Sequence, residues 1–311
     1  MTERGPTHIP APPADFVLPF DLPHIGLRGR FVRLDKVATR ALSAHPLPEA
    51  AHRVLAEAMA MGALLGSALK LEGRLSVQTK GDGPLSIVVT DYFAGGGLRG
   101  YAKLDEARFE ATGRNADFAV LSGGGALAIT IEPKPGAQSY QGLVPLSPEG
   151  LAASAETYFA QSEQLPTMIK LAAGPIYRAD EGSGWRAGGL IVQAVPERVT
   201  GDLRSTDDWS RVKLFLDTLE AYELLDTSVP AEAVLWRLFH EDEVRVQKAL
   251  PLHFQCTCNA EKVMPVLRSY PADELKALAD ADGVIRTRCE FCGTIYEFPL
   301  TVFNPSASQA D

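Results

Sequence analysis

The chain has 311 residues, is 46% hydrophobic and 22% charged, and carries a net charge of −9. That length leaves room for about two globular domains of ordinary composition. The acidic balance argues against a nucleic-acid partner, because phosphate binding needs a basic surface. The longest apolar run, Ala58 to Leu69, is well short of the roughly 20 residues that cross a bilayer, so no membrane partner is expected.

Residues 1–14 are proline-rich and contain no apolar signal segment, so a disordered extension on a cytoplasmic protein is expected. From 15 to 197 the pattern is α+β. Gly29–Leu34 is expected as a strand and Lys36–Ala44 as a short helix. Pro46 and Pro48 then open a long helix to about Lys70, apolar nearly all round in its second half and therefore a buried central helix. Strands follow at Leu75–Thr79 and Leu85–Asp91, joined by the turn-forming Lys80-Gly-Asp-Gly-Pro84. Further strands are expected at Leu98–Lys103, Ala126–Glu132 and Tyr140–Pro145. A helix spans Pro148 to about Gln164, and strands at Thr167–Ala172 and Ala187–Val195 complete a core of sheets around the central helix.

Residues 198–240 differ in character. Thr206-Asp-Asp208 offers a helix cap, and Trp209, Val212, Leu216, Leu219 and Tyr222 recur at helical spacing. Pro230 opens a second helix with Val234, Leu235, Leu238 and Phe239 on one side. Two readings stay open: a helical connector docked on the core, and a metastable segment released under some condition.

The third part, residues 241–302, holds every cysteine of the chain, and 303–311 is expected to be a flexible tail. Cys256-Thr-Cys258 is followed after 30 residues by Cys289-Glu-Phe-Cys292. Each close pair supplies two sulfurs from one turn, which is what a tetrahedral four-thiolate zinc site requires. Pro271 to Leu275 reads as a helix start, Asp282-Gly283 as a turn into a strand, and Gly293 as the turn after the second pair. About 60 residues make a marginal core, so the zinc should hold the module together. A coordinated thiolate also remains a nucleophile towards peroxide. The small-loop products are the disulfides Cys256–Cys258 and Cys289–Cys292, although four cysteines allow three pairings. A purely structural zinc ribbon uses the same four ligands, so the switch role stays open on spacing alone.

The remaining motif-like features have blander readings. The glycine clusters at 95–97, 123–125 and 182–184 lack the spacing of phosphate-binding loops. His253 is read as a partly buried packing residue and His240 as part of a solvated helix face. Residues 251–300 carry five Lys/Arg and seven Asp/Glu, 5 − 7 = −2, a poor surface for a nucleic-acid-binding ribbon. Neither pair sits on the strand–helix arrangement of a thioredoxin-like oxidoreductase.

The second pair continues as Cys289-Glu-Phe-Cys292-Gly293-Thr-Ile-Tyr296-Glu-Phe298, and this string resembles the redox-regulated heat-shock chaperones known as 33 kDa chaperonins. Val77 to Leu85, Leu98 to Ala102, Tyr158 to Thr167 and Leu238 to Glu241 resemble that family in the same order. The resemblance implies a chaperone without ATP chemistry rather than an enzyme, with zinc on the four cysteines and an inactive reduced state. It further implies that oxidation makes the two within-pair disulfides, expels zinc, and unfolds the module and then the linker. Unfolding client proteins are the implied partners, with a homodimer as the active oxidised form. Two features depart from the family: Asn259-Ala-Glu-Lys262 replaces a Ser/Arg-rich run, and the proline-rich extension is unusual.

Overall fold

A computed structural model describes residues 13–113, 116–178, 182–195 and 207–303. The expected disordered extension (but for residues 13 and 14), the tail beyond Phe303 and the start of the linker at 198–206 lie outside these residues. Two compact units are present, Met1–Phe254 and Gln255–Asp311.

In chain order the first unit opens with strands β1 (Phe16–Leu22) and β2 (Leu27–Leu34), then helices α1 (Lys36–Leu42) and α2 (Glu49–Gly66). Strands β3 (Arg74–Lys80), β4 (Leu85–Phe93) and β5 (Gly97–Leu104) follow, then the short helices α3 (Glu106–Thr112) and α4 (Phe118–Ser122). After β6 (Ala126–Glu132), β7 (Tyr140–Pro145) and α5 (Leu151–Tyr158) come the long strands β8 (Thr167–Arg178) and β9 (Gly182–Ala194). Helices α6 (Asp207–Asp217), α7 (Ala221–Leu225) and α8 (Ala231–Phe239) precede three two-residue strands, β10 (Arg245–Val246), β11 (Leu250–Pro251) and β12 (His253–Phe254). The segment 245–254, expected within the cysteine module, is laid on the sheets of the first unit instead. β10 and β11 pair with β1, and β12 runs parallel to β5.

The expected α+β core is observed. One sheet has the order β10-β1-β2-β9-β8, with β11 also on β1; the other has the order β12-β5-β4-β3-β6-β7. Helix α2 lies in the main core with Leu55, Met59, Met61 and Leu64 sealed from solvent. One face of each sheet meets it: Val32, Ile169 and Ile191 from the first, Leu75, Val77 and Leu127 from the second. Small residues allow this closeness, since a Cβ at Gly66 would stand 2.3 Å from the Tyr92 ring. The expected helix to about Gln164 starts later, at Leu151, and changes character near its end. α5 ends at Tyr158, a π-helical turn covers Phe159–Glu163, and Gln164 takes a left-handed conformation at φ 53°.

α2 also carries an unusual charge position. Burial pushes the Glu57 carboxyl up to about 7, with Arg53 working against that shift. The unfolded chain ionises this group near 4.5. The neutral form therefore carries no penalty below that value, and stability is lost as pH rises from there towards 7. Glu57→Gln should leave stability unchanged near pH 4 and raise it by about 2–3 kcal/mol at pH 8. Urea midpoints at the two pH values measure the difference; equal gains at both would contradict the assignment.

The other face of the first sheet carries Phe16, Leu18, Phe20, Leu22, Leu27 and Phe31, and these pack against Val212, Leu216, Val234, Leu235, Leu238 and Phe239 of α6 and α8. The Phe20 and Phe239 rings stack at 5.7 Å. Tyr222 leaves the expected stripe and is exposed, because a new helix begins at α7 with a Glu220–Glu223 capping box. A buried guanidinium anchors this helical layer. Arg33, 3% exposed, donates to the carbonyls of Glu223 (3.0 Å), Leu224 (3.0 Å) and Val229 (3.1 Å). Arg186 bridges Asp35 and the Leu225 carbonyl beside it. Among the described residues, no helix is long and apolar enough to cross a membrane.

Candidate metal centre

The second unit is built on a hairpin of β13 (Val284–Arg288) and β14 (Ile295–Pro299), joined to helices α9 (Ala260–Arg268) and α10 (Ala272–Leu278). Its fully buried apolar core comprises Leu267, Leu275, Ile285 and Phe298. The hairpin turn carries the second cysteine pair. Within it Cys289 N–H donates to Thr294 O (2.9 Å) and Gly293 N–H to Cys289 O (2.9 Å), closing a tight loop. Gly293 sits at φ 72°, a conformation that glycine adopts without a steric penalty. The first pair precedes α9, whose cap is Asn259, its side chain accepting from Lys262 N–H. Asn259-Ala-Glu-Lys262, the departure from family-like sequence, is therefore a working helix start.

All four sulfurs, Cys256, Cys258, Cys289 and Cys292, lie within 4.8 Å of one another, and none is disulfide-bonded. The separations are 3.3 Å for Cys256–Cys258, 3.7 Å for Cys256–Cys289 and 3.4 Å for Cys258–Cys292. A tetrahedron with zinc–sulfur bonds of about 2.3 Å has edges of about 3.8 Å. The donor set fits a four-thiolate metal ion.

Electrostatics point the same way. Burial pushes the Cys258 thiol up to about 12, with the Cys256 and Cys292 thiols adding to the shift. Burial also raises Cys289. At Cys292 burial opposes the thiolate, yet the Thr294 hydroxyl and N–H and the neighbouring thiols bring it down to about 6. A bare cluster thus accepts charge at Cys292 and resists it at Cys258 and Cys289. A divalent cation removes that conflict by neutralising half of four thiolate charges.

Two hydroxyls touch this set. The Tyr296 hydroxyl donates to Cys258 Sγ at 3.1 Å, and the Thr294 hydroxyl lies 3.1 Å from Cys292 Sγ. Sequence reasoning did not single out either as a site residue; hairpin geometry brings them there. His253 is exposed on β12 rather than partly buried, and His240 is exposed on a helix end against Trp236. Neither belongs to the sulfur cluster.

The fold and donor set define an α+β protein ending in a four-cysteine module able to hold a metal ion. The sequence model of the Hsp33 protein family matches residues 15–299. The 33 kDa chaperonin of Caulobacter vibrioides is 40% identical over 289 residues, spanning 91% of this chain and 94% of that protein. The Escherichia coli 33 kDa chaperonin is 34% identical over 291 residues, spanning 93% and 94%. The crystal structure of a 33 kDa chaperonin from Thermotoga maritima superposes with a TM-score of 0.74 at 24% identity, covering 93% of this chain and 97% of that one, and shows the shared fold. The chain belongs to the Hsp33 family of stress-response chaperones. Its relatives are chaperones, not enzymes.

Proposed function

We propose that this chain is an ATP-independent, redox-regulated holdase of the cytoplasm, inactive while reduced and zinc-bound. The observation that carries the reading is the sulfur cluster, four thiols within 4.8 Å on a module with four buried core side chains, in a chain of this family. Bound zinc would keep all four sulfurs as thiolates at neutral pH and staple the module.

The chemistry belongs to the cysteines. A thiolate attacks one oxygen of hydrogen peroxide, the O–O bond breaks, hydroxide leaves and a sulfenic acid forms. The paired thiolate attacks that sulfur and displaces a second hydroxide, giving a disulfide. Each disulfide costs two electrons, which reduce one peroxide. Two turnovers give Cys256–Cys258 and Cys289–Cys292, and no thiolate donors remain for the ion. The module then loses its staple, and unfolding spreads to α6–α8. The apolar sheet face of Phe16, Leu18, Phe20 and Phe31 becomes available to unfolding clients, and two oxidised chains associate as a homodimer.

The test follows light scattering of a heat-denatured client together with zinc release to a chromogenic chelator. Peroxide-treated protein should suppress aggregation and release one zinc per chain, whereas reduced protein should do neither. Zinc release with unchanged aggregation would leave a structural zinc ribbon as the better reading.

A further inference from the structure

We propose that the hydroxyls of Tyr296 and Thr294 restrain the cysteine thiolates and thereby set how fast peroxide opens the centre. This rests on the switch reading above and adds its rate control. Tyr296 projects from β14 and donates to Cys258 Sγ at 3.1 Å; at the hairpin turn the Cys292 thiol donates to the Thr294 hydroxyl oxygen at 3.1 Å, and once Cys292 is a thiolate that hydroxyl becomes the donor. Each cysteine pair therefore has one sulfur held by a side-chain hydroxyl. The arrangement is built into the fold, because the β13–β14 register places Tyr296 opposite Thr287 and leaves its ring half-buried beside the sulfurs.

A thiolate attacks the peroxide O–O bond with a sulfur lone pair. A hydroxyl donating to that sulfur draws electron density from the lone pair and offsets part of the site's excess negative charge. Sulfur nucleophilicity falls as basicity falls, with a coefficient of about 0.4–0.5. Partners behind metal ligands also fix ligand orientation, so their loss weakens metal retention. Removing the hydroxyl should speed the sulfur's attack, and Tyr→Phe does so while keeping the ring.

The experiment uses full-length, reduced, zinc-loaded protein as wild type, Y296F and T294V. Zinc release is timed against peroxide concentration with a chromogenic chelator, and again without peroxide. The peroxide-dependent rate constant should rise roughly three- to tenfold in Y296F, as expected when about half the effect of a charge-assisted hydrogen bond passes into rate. T294V should move in the same direction. In cobalt-substituted protein, the sulfur-to-metal charge-transfer band of Y296F should shift to lower energy, which a packing defect alone would not produce. Thr294 is exposed, so T294V keeps the test decisive if Y296F fails to load metal. Unchanged peroxide rates overturn the proposal. So does a rate that rises only in proportion to peroxide-free release, which would mark a packing role. Failure of wild type to release zinc with peroxide would instead overturn the switch reading itself.

Discussion

Replacing Cys292 by serine will abolish metal retention and unfold residues 255–303, while the two sheets and α2 keep their fold. Cys292 is the buried member of the cluster, 5% exposed, and its sulfur contacts Cys258 at 3.4 Å. The module's fully buried apolar side chains are Leu267, Leu275, Ile285 and Phe298. At about 1.5–3 kcal/mol each, they offer little against the ordering cost of some 50 residues. Structural zinc supplies about 10–16 kcal/mol in such modules, comparable to the whole stability of a typical domain. Metal content should fall from one per chain to near zero, and the amides of 255–303 should collapse to unfolded NMR shifts. A metal-loaded, dispersed C292S module would contradict both the ligand assignment and the staple.

The second large effect is expected at Arg33→Ala. Its guanidinium is sealed under the α6–α8 layer and donates to three carbonyls at 223, 224 and 229. Burial lowers its pKa to about 10, with Arg186 adding to the shift, which still leaves it charged at neutral pH. Truncation leaves buried acceptors without donors, at about 1–3 kcal/mol for each that water fails to reach. A total loss of about 3–5 kcal/mol is expected. It should be local first: hydrogen exchange should quicken across 207–239 well before it does in α2. Lysine will not rescue the variant, because one ammonium does not span three acceptors held by a planar fork. Uniform exchange across the first unit would count against a specific anchor.

Much of this architecture was legible in the sequence, and the gaps have physical causes. α2 announced itself because its second half is apolar on every side. The four sulfurs announced themselves because thiolate pairs at close spacing have few other uses. β1 escapes pattern reading: Phe-Val-Leu-Pro-Phe-Asp-Leu is buried on both faces, so it shows no alternation, and Pro19 argues against a strand. β10, β11 and β12 are two residues long and carry no pattern at all. Arg33 misleads in a different way. It shares the strand face of Leu27 and Phe31, where a charge looks misplaced until distant carbonyls are known. Tyr222 fits the helical stripe in sequence because periodicity does not register the break after Asp217. Tyr296 was visible only within the family-like string, since its contact with Cys258 spans 38 residues and depends on the hairpin register.

The distribution of sulfur has a consequence for survival in oxidant. The first unit contains no cysteine, and its described methionines, Met59, Met61 and Met168, are all buried. Peroxide therefore meets no thiol and no exposed described thioether in that unit, and cannot scramble it with wrong cross-links. Every thiol equivalent consumed reports on one site, so a simple thiol titration doubles as a dosimeter. Under the proposed switch, two short-range disulfides would be the cross-links to undo on return to reducing conditions.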